Sequence, residues 1–285
     1  MIITGKTRVV GIIGNPIEHS LSPVMQNAAF ERLGLNWCYL PFLVVKEQVG
    51  AAVEAVRALN LVGINVTMPF KEAVIPFLDE VTKEAGFVQA VNTIHQARGR
   101  LTGYNTDGEG FVISLKDDAS FETAGATVFL LGAGGAARAI ANSLAKYGVS
   151  SVTILNRTVD SAIEFSQGLK KRFPHLETNP RSFKNEFYSL LKDADIVINA
   201  TPLGRVSMKE MPISAGNLTP GQFVCDLATS PKTAFLEAAR ERGCRTLDGL
   251  GMLVYQGAAA FKIWTGLDAP VEVMWEATRR AAKNE

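Results

Sequence analysis

Two stretches of this chain carry residue types and spacings that can do chemistry. The first is Gly132-Ala133-Gly134-Gly135-Ala136-Ala137, which follows the apolar run Ala126 to Leu131 and leads into a helical pattern through Ile140, Leu144 and Tyr147. Strand, glycine turn and helix in that order is the context a G-x-G-x-x-G/A match needs before it reads as a dinucleotide site. Gly132 permits the tight turn, Gly134 lets the backbone approach a pyrophosphate, and Ala137 lets the helix pack close to the strand. Free N–H groups at the helix start then face the phosphate charge. An ordinary β–α turn that binds nothing has the same local pattern. A second strand, Ser151 to Leu155, ends in Asn156-Arg157-Thr158, where an NAD site usually places an acid on the ribose 2′-hydroxyl. An arginine there suits a 2′-phosphate, through charge and a planar fork of donors. The expected cofactor is therefore NADP; the plainer alternative for Arg157 is a solvated surface side chain.

The second stretch lies in the first hundred or so residues. The segment LVGINVTM reads as a strand that turns into a helix near Pro69, with Lys71 in the first helical turn. The helix dipole disfavours a cation there, and a lysine so placed and shielded from water has a lowered pKa and suits proton transfer. Exposed to water, it is an ordinary surface lysine. Ser20 and Ser22 precede Pro23 and the helical VMQNAAFERLG. Ser22 fits a helix N-cap, while two hydroxyls and free backbone donors at a helix start also fit a carboxylate. Phe87 to Ile94 and Arg100 to Thr106 read as short strands with Asn92, Thr93, Asn105 and Asp107 at their ends. Asp107-Gly108 by itself also fits a turn between domains.

The elements that must position these groups alternate along the chain. At 285 residues, about two domains are expected. The first half reads Arg8 to Gly14 as a strand, a helix after Pro23, Trp37 to Val44 as a strand and a helix from Lys46. Beyond the cofactor unit come a charged helix to about Phe173, a looser segment to Leu191, strands at Asp195 to Ala200, Gln222 to Leu227 and Cys244 to Leu247, and a helical tail from Met252 to Lys283. Strands and helices alternating at these lengths predict an α/β fold with a doubly wound parallel sheet. The composition, 47% apolar and 20% charged, is that of a globular protein. A net charge of +1 gives no electrostatic case for nucleic acid or an anionic membrane. No apolar run approaches a membrane span, and MIITGKTRVVGIIGNP is broken too early by Gly-Asn-Pro for a signal peptide. Cys38, Cys225 and Cys244 form neither a disulfide framework nor a zinc pattern and read as buried thiols in a reducing cytoplasm. His19, His95 and His175 lack ligand spacing, so no metal is expected.

The blocks GNPIEHSLSP, GINVTMPFKE, AVNT, GYNTDGEG, GAGGAARA, NRT, NATPLG and DGLGMLVYQGAAAFKIWTG occur in an order that resembles the shikimate dehydrogenase family across nearly the whole chain. The resemblance implies a Rossmann-type NADP-binding domain at 108–249 and an N-terminal α/β substrate domain with a mixed sheet at 1–107, completed by helices at 250–285. It places the active site in the cleft between them. The implied reaction interconverts 3-dehydroshikimate and shikimate with NADPH and NADP, in the route to chorismate and the aromatic amino acids. Position by position, Ser20 and Ser22 would bind the substrate carboxylate, which displaces the pure N-cap reading. Thr67, Asn92 and Gln256 would hold ring hydroxyls, and Lys71 and Asp107 would be the catalytic pair. Hydride delivery to the C3 ketone builds negative charge on oxygen, which an adjacent ammonium stabilises and protonates. Gly132, Ala133, Gly134, Gly135, Ala136, Asn156, Arg157, Thr158, Leu227 and Gly249 fall on the family's NADP contacts.

Two positions depart from the family pattern. In DLATSPKT, Thr229 stands where the family often has a substrate-facing tyrosine. Ser161, next to Asp160, stands where the NADP clamp often has a second cation, so preference over NAD is expected to be modest. A quinate/shikimate dehydrogenase using NAD(P) is the rival within the class. A non-catalytic NADP-binding sensor is the rival outside it, and such a protein has no need for both Lys71 and Asp107. The expected partner is a small molecule, with no nucleic acid or membrane, acting on a monomer or homodimer.

Overall fold

The computed structural model describes residues 2–184, 187–204, 209–230 and 232–283. They divide into two units, Met1–Gly110 with Leu253–Glu285 and Phe111–Met252, and two six-stranded sheets.

In the first unit the strands are β1 (Arg8–Gly14), β2 (Trp37–Leu43), β3 (Gly63–Val66), β4 (Glu80–Val81), β5 (Thr93–Ala97) and β6 (Arg100–Tyr104). Their order is β2-β1-β3-β5-β6-β4. β2 and β3 flank β1 in parallel, while β5 runs antiparallel to both β3 and β6, so the sheet is mixed. Helices α1 (Ser22–Arg32), α2 (Val49–Ala58) and α3 (Lys83–Val88) lie between the strands, and α4 (Asp107–Asp117) follows β6. Adjacent residues of β1 serve opposite faces, as a strand's period of two requires. Ile12 packs with Met25, Phe30, Phe261 and Trp264, whereas Ile13 packs with Val53, Val56, Ile64 and Phe70. Residues 253–282 thus cover one face of this sheet. Trp264 Nε1–H donates to the Ile94 carbonyl at 3.0 Å. A Cβ on Gly63 would lie 2.4 Å from that nitrogen, so only glycine lets the indole reach the strand.

In the second unit the strands are β7 (Thr127–Leu131), β8 (Ser151–Leu155), β9 (Glu177–Arg181), β10 (Ile196–Asn199), β11 (Phe223–Asp226) and β12 (Arg245–Leu247). All pairs are parallel, in the order β12-β11-β10-β7-β8-β9. This is the 3-2-1-4-5-6 arrangement of doubly wound dinucleotide folds, with its reversal point between β7 and β10. Helices α5 (Gly135–Lys146), α6 (Val159–Arg172), α7 (Tyr188–Lys192) and α8 (Ala234–Glu241) connect the strands. Near-continuous apolar β10 and β11 are buried at every residue and β7 at all but Thr127, as a sheet covered on both faces demands. Helices α9 (Leu250–Thr265) and α10 (Val271–Ala282) end the chain.

Four expectations are corrected. Phe87 and Val88 belong to α3 and not to a strand: the Thr82 hydroxyl accepts from the Ala85 N–H at the helix start, and Gln89, at φ +54°, ends it. β5 begins only at Thr93. Lys71 lies in a turn over residues 71–74 rather than in a helix, so no helix dipole acts on it. Ser22 is the first residue of α1, whose N-cap is Leu21 with no side-chain cap. The looser segment before Leu191 contains β9 and most of α7, while its Asn185 and Glu186 lie outside the described residues. The strand ETNPR has no apolar run because it is an edge, paired only with β8, where a proline costs no ladder bond.

Candidate active site

In the first unit, four of the expected site residues meet in one hydrogen-bonded cluster. Asn92 comes from the residue before β5, its N–H on the Tyr104 carbonyl and its carbonyl accepting from Val66. Asp107 opens α4, its N–H bonded to Asn105 Oδ1 at 3.1 Å. Lys71 follows the turn after β3, and its carbonyl accepts from Val91 at 2.8 Å. Gln256 is on α9, held close to α4 because Gly110 has no Cβ; one there would lie 2.6 Å from the Gln256 nitrogen.

The contacts within the cluster are short and directional. Lys71 Nζ lies 2.6 Å from Asp107 Oδ2, in an ion pair whose carboxylate is 5% exposed and whose ammonium is 21% exposed. Asn92 Nδ2 donates to Asp107 Oδ1 at 2.8 Å, to Thr106 Oγ1 at 2.9 Å and to Gln256 Oε1 at 3.3 Å. Asn92 Oδ1 accepts from the Thr106 N–H at 2.9 Å and the Thr93 hydroxyl at 3.0 Å. Its amide is therefore fixed in orientation from both ends. A buried carboxylate, paired and hydrogen-bonded on both oxygens, holds a partly exposed ammonium in place; such a group can stabilise and protonate an oxygen that gains negative charge.

The remaining expected residues are arranged differently. Thr67 follows β3, its N–H on the Ile13 carbonyl at 3.0 Å. Gly14 at the end of β1 passes so close that a Cβ there would lie 2.4 Å from Thr67 Cγ2. Ser20 Oγ accepts a long 3.4 Å bond from the Ser22 N–H. Among the described residues, neither Ser20 nor Thr67 bonds to the cluster through its side chain. Ser22, buried, hydrogen-bonds Tyr39, and Tyr39 Oη donates to Asn65 Oδ1 at 2.7 Å. Asn65 Nδ2 in turn donates to the Asn92 carbonyl and to Thr93 Oγ1, both at 3.0 Å. Burial pushes the Tyr39 hydroxyl well above its usual range, and the Ser22 contact partly opposes that shift. Tyr39, Asn65 and Thr106 were not anticipated as site residues. Asn65 had the one readable signal, a polar residue inside the otherwise apolar GINV.

In the second unit, the turn after β7 has the expected geometry. Gly132 adopts φ +109° and its Cβ position lies 3.3 Å from the Ala200 carbonyl, whereas Gly134 faces open space. Gly134 is the N-cap of α5, with extended backbone. Ala133 is nearly buried and Ala137 fully so, while Gly135 and Ala136 form the first turn of α5. Arg138 Nε–H donates to the Ala133 carbonyl at 3.1 Å and braces the loop. Asn156 Nδ2 bonds the Thr158 carbonyl at 2.9 Å, and Arg157 and Thr158 are exposed beyond β8. Leu227 and Gly249 meet directly: a Cβ on Gly249 would lie 2.4 Å from the Leu227 carbonyl oxygen. Beneath them Asp226, 1% exposed, accepts from Asn199, the Ala228 N–H and Thr233. Neither Asn199 nor Asp226 was anticipated. Thr229 is exposed in the bend after β11, and Pro231 lies outside the described residues. Among the described residues no set of His, Cys, Asp and Glu is placed to hold a metal, and no helix is long and apolar enough to cross a membrane.

Known families match successive parts of the chain. Residues 12–94 match the shikimate dehydrogenase substrate-binding domain, 115–232 the shikimate/quinate 5-dehydrogenase domain and 249–279 the shikimate 5′-dehydrogenase C-terminal domain. The NADP(+) shikimate dehydrogenase of Alkaliphilus metalliredigens is 45% identical over 95% of this chain and 96% of its own. A shikimate dehydrogenase solved in complex with NADP+ is 38% identical, with a TM-score of 0.89 over 98% of this chain and 97% of its own. The Listeria monocytogenes shikimate 5-dehydrogenase, solved with shikimate and NAD, is also 38% identical, with a TM-score of 0.88 over 97% and 98%. The chain belongs to the shikimate dehydrogenase family, NADP-dependent oxidoreductases that act on a CH–OH group.

Proposed function

We propose that this chain catalyses the reversible NADPH-dependent reduction of 3-dehydroshikimate to shikimate, with Lys71 and Asp107 as its catalytic pair. The observation that carries the reading is the Lys71–Asp107–Asn92 chain of contacts at 2.6 and 2.8 Å. Ser20 and Ser22 would hold the substrate carboxylate, and Thr67, Asn92 and Gln256 the ring hydroxyls.

The residues of the second unit fit NADP. The Gly132 turn requires a positive φ, the space over Gly134 is open to a pyrophosphate, and an arginine rather than an acid follows β8. Gly132 to Ala136 would hold the pyrophosphate, Asn156 to Thr158 the adenosine 2′-phosphate, and Leu227 and Gly249 the nicotinamide end. NADPH, when bound, supplies the hydride. Lys71 Nζ donates a hydrogen bond to the C3 oxygen and transfers a proton to it as charge builds there. Asp107 Oδ2 orients that ammonium, and Asn92 keeps Asp107 turned toward it by occupying Oδ1. In the oxidative direction the same groups take the proton back.

Three buried, unbridged cysteines support a reducing cytoplasm, where the protein would act as a monomer or homodimer. The test is absorbance at 340 nm with shikimate and NADP, repeated with NAD and with quinate. NADPH formation from shikimate is expected, and Lys71→Ala should lose at least about a thousandfold in kcat while NADPH still binds. Comparable kcat/KM for quinate would move the chain to the quinate/shikimate branch, and near-normal turnover of Lys71→Ala would remove that residue from the mechanism.

A further inference from the structure

Arg181 is the last residue of β9, the edge strand beside β8. The two strands run parallel with Leu155 opposite Arg181, so both end at the same rim of the sheet. One residue further, the Asn156 N–H donates to the Arg181 carbonyl at 3.1 Å, tying Arg181 to the start of Asn156-Arg157-Thr158. Neighbouring strands are about 4.8 Å apart, less than the length of an arginine side chain. The Arg181 side chain is partly exposed. Its Nη1–H donates to the neighbouring Pro180 carbonyl at 2.9 Å, and among the described residues no carboxylate pairs with it.

The charges at this rim call for such a group. A phosphate monoester carries about −1.5 to −2 at neutral pH. Arg157 supplies one positive charge, but Asp160, in the first turn of α6, lies three residues on and cancels it in the sum. Asn156 to Ser161 is therefore close to neutral by itself and would discriminate poorly between a ribose 2′-phosphate and a 2′-hydroxyl. We propose that Arg181 is the second cation of the 2′-phosphate site, a specificity-determining residue that acts with Arg157 to favour NADP over NAD. This rests on the placement of the adenosine 2′-phosphate at Asn156 to Thr158 given above.

The test is calorimetric titration of the full-length wild type, Arg181→Gln, Arg181→Lys and Arg157→Ala with NADP and with NAD, at low and moderate salt. Loss of one charge-assisted contact at a partly exposed site predicts about a tenfold weaker NADP affinity for Arg181→Gln, with NAD changed less than about twofold and a shallower salt dependence. Arg181→Lys should recover part of the affinity, since it restores charge without the fork. Equal losses for NADP and NAD would make Arg181 a structural residue and overturn the inference. So would an unchanged NADP affinity in Arg181→Gln beside a weakened one in Arg157→Ala, which leaves the Asn156 to Thr158 placement standing. Arg157→Ala without effect on NADP would overturn that placement and the inference with it.

Discussion

Replacing Asp107 with asparagine tests the proposed catalytic pair at its most constrained point. The two carboxylate oxygens have different partners: Oδ1 accepts from Asn92 Nδ2 at 2.8 Å and Oδ2 faces Lys71 Nζ at 2.6 Å. Asn92 cannot turn its amide round, because its own Oδ1 is committed to the Thr106 N–H and the Thr93 hydroxyl. An asparagine at 107 must therefore present its oxygen to Asn92 and its NH2 to Lys71, donor against donor. The substitution keeps shape and size yet turns the strongest contact of the pair into a repulsive one. A hydrogen bond to a charged group contributes about 1.5–3 kcal/mol, and removing one partner of a buried pair costs about 3–5 kcal/mol. Lys71 is 21% exposed, and water screening discounts the second figure, which leaves about 2–4 kcal/mol. At about 1.36 kcal/mol per factor of ten, Asp107→Asn should lose about 30- to 1000-fold in kcat/KM for shikimate. The assay is initial rates at 340 nm, with NADP affinity measured separately and expected to stay at the wild-type value. Asp107→Ala, which leaves room for water beside the ammonium, should be no worse than Asp107→Asn. Retention of kcat/KM within about threefold of wild type by Asp107→Asn would refute the reasoning, since a cost below about 0.7 kcal/mol is too small for a charge-assisted contact.

Three further substitutions follow from other parts of the structure. Tyr39→Phe removes the donor to buried Asn65 Oδ1 and the partner of Ser22. It should cost about 1–3 kcal/mol in denaturant unfolding and raise KM for shikimate more than it lowers kcat. Gly249→Ala places a methyl 2.4 Å from the Leu227 carbonyl oxygen; overpacking of about 1–3 kcal/mol should lower Tm and weaken NADP binding, leaving the first unit's Lys71 cluster untouched. Asp79 accepts from the Leu101 N–H at 2.6 Å and from Arg57 at 2.7 Å, and these, the backbone donor first, hold its carboxyl below the ordinary 3.8. A carboxyl whose pKa is lowered by folding stabilises the fold above its unfolded value and ceases to do so as pH falls through its folded one. Asp79→Asn should therefore lower Tm slightly at pH 7, with the difference from wild type shrinking below pH 3.8; a difference independent of pH would show that the carboxylate charge is not involved.

The parallel sheet of the second unit was readable because its signals are local. Apolar runs at β7, β10 and β11 are long enough to specify buried strands, and the glycine turn fixes where β7 stops. β9 was not readable, since an edge strand has one neighbour and ETNPR needs no apolar pattern to pair. The helical state of Phe87 and Val88 is hidden for a related reason. Thr82 and Gln89 set the ends of α3 through a cap and a left-handed residue, and neither shows in the spacing of FVQAV. The turn at Lys71 is not legible in sequence because Pro69 also fits the first position of a helix, whereas the chain after β3 stays in turns through Val74.

The proposed site is legible in sequence as a set of candidate residues but not as a network. Ser20, Thr67, Asn92 and Asp107 stand just beyond strand ends or at a helix start, where backbone leaves the sheet and polar side chains need not compete with core packing. That placement makes them visible in sequence as polar blocks between apolar runs. What sequence does not contain is the pairing among them, because Lys71, Asn92, Asp107 and Gln256 come from four separate segments. Only the tertiary fold brings together the Asn92 amide, Asp107 and Thr106, and only those contacts give Asp107 one oxygen for Asn92 and leave the other for Lys71. A buried polar cluster is costly unless every member is satisfied, so the partners that complete it, Thr93, Thr106 and Asn65, are as necessary to the pair as its own members. They lie inside the blocks AVNT, GYNTDGEG and GINVTMPFKE without a role that sequence assigns, since a threonine or asparagine that donates to a neighbour carries no chemistry that its type announces. Tyr39 extends the same logic to Ser22: its hydroxyl hydrogen is spent on Asn65, so it can only accept from Ser22, which ties the orientation of that serine to the same buried polar network that holds Lys71.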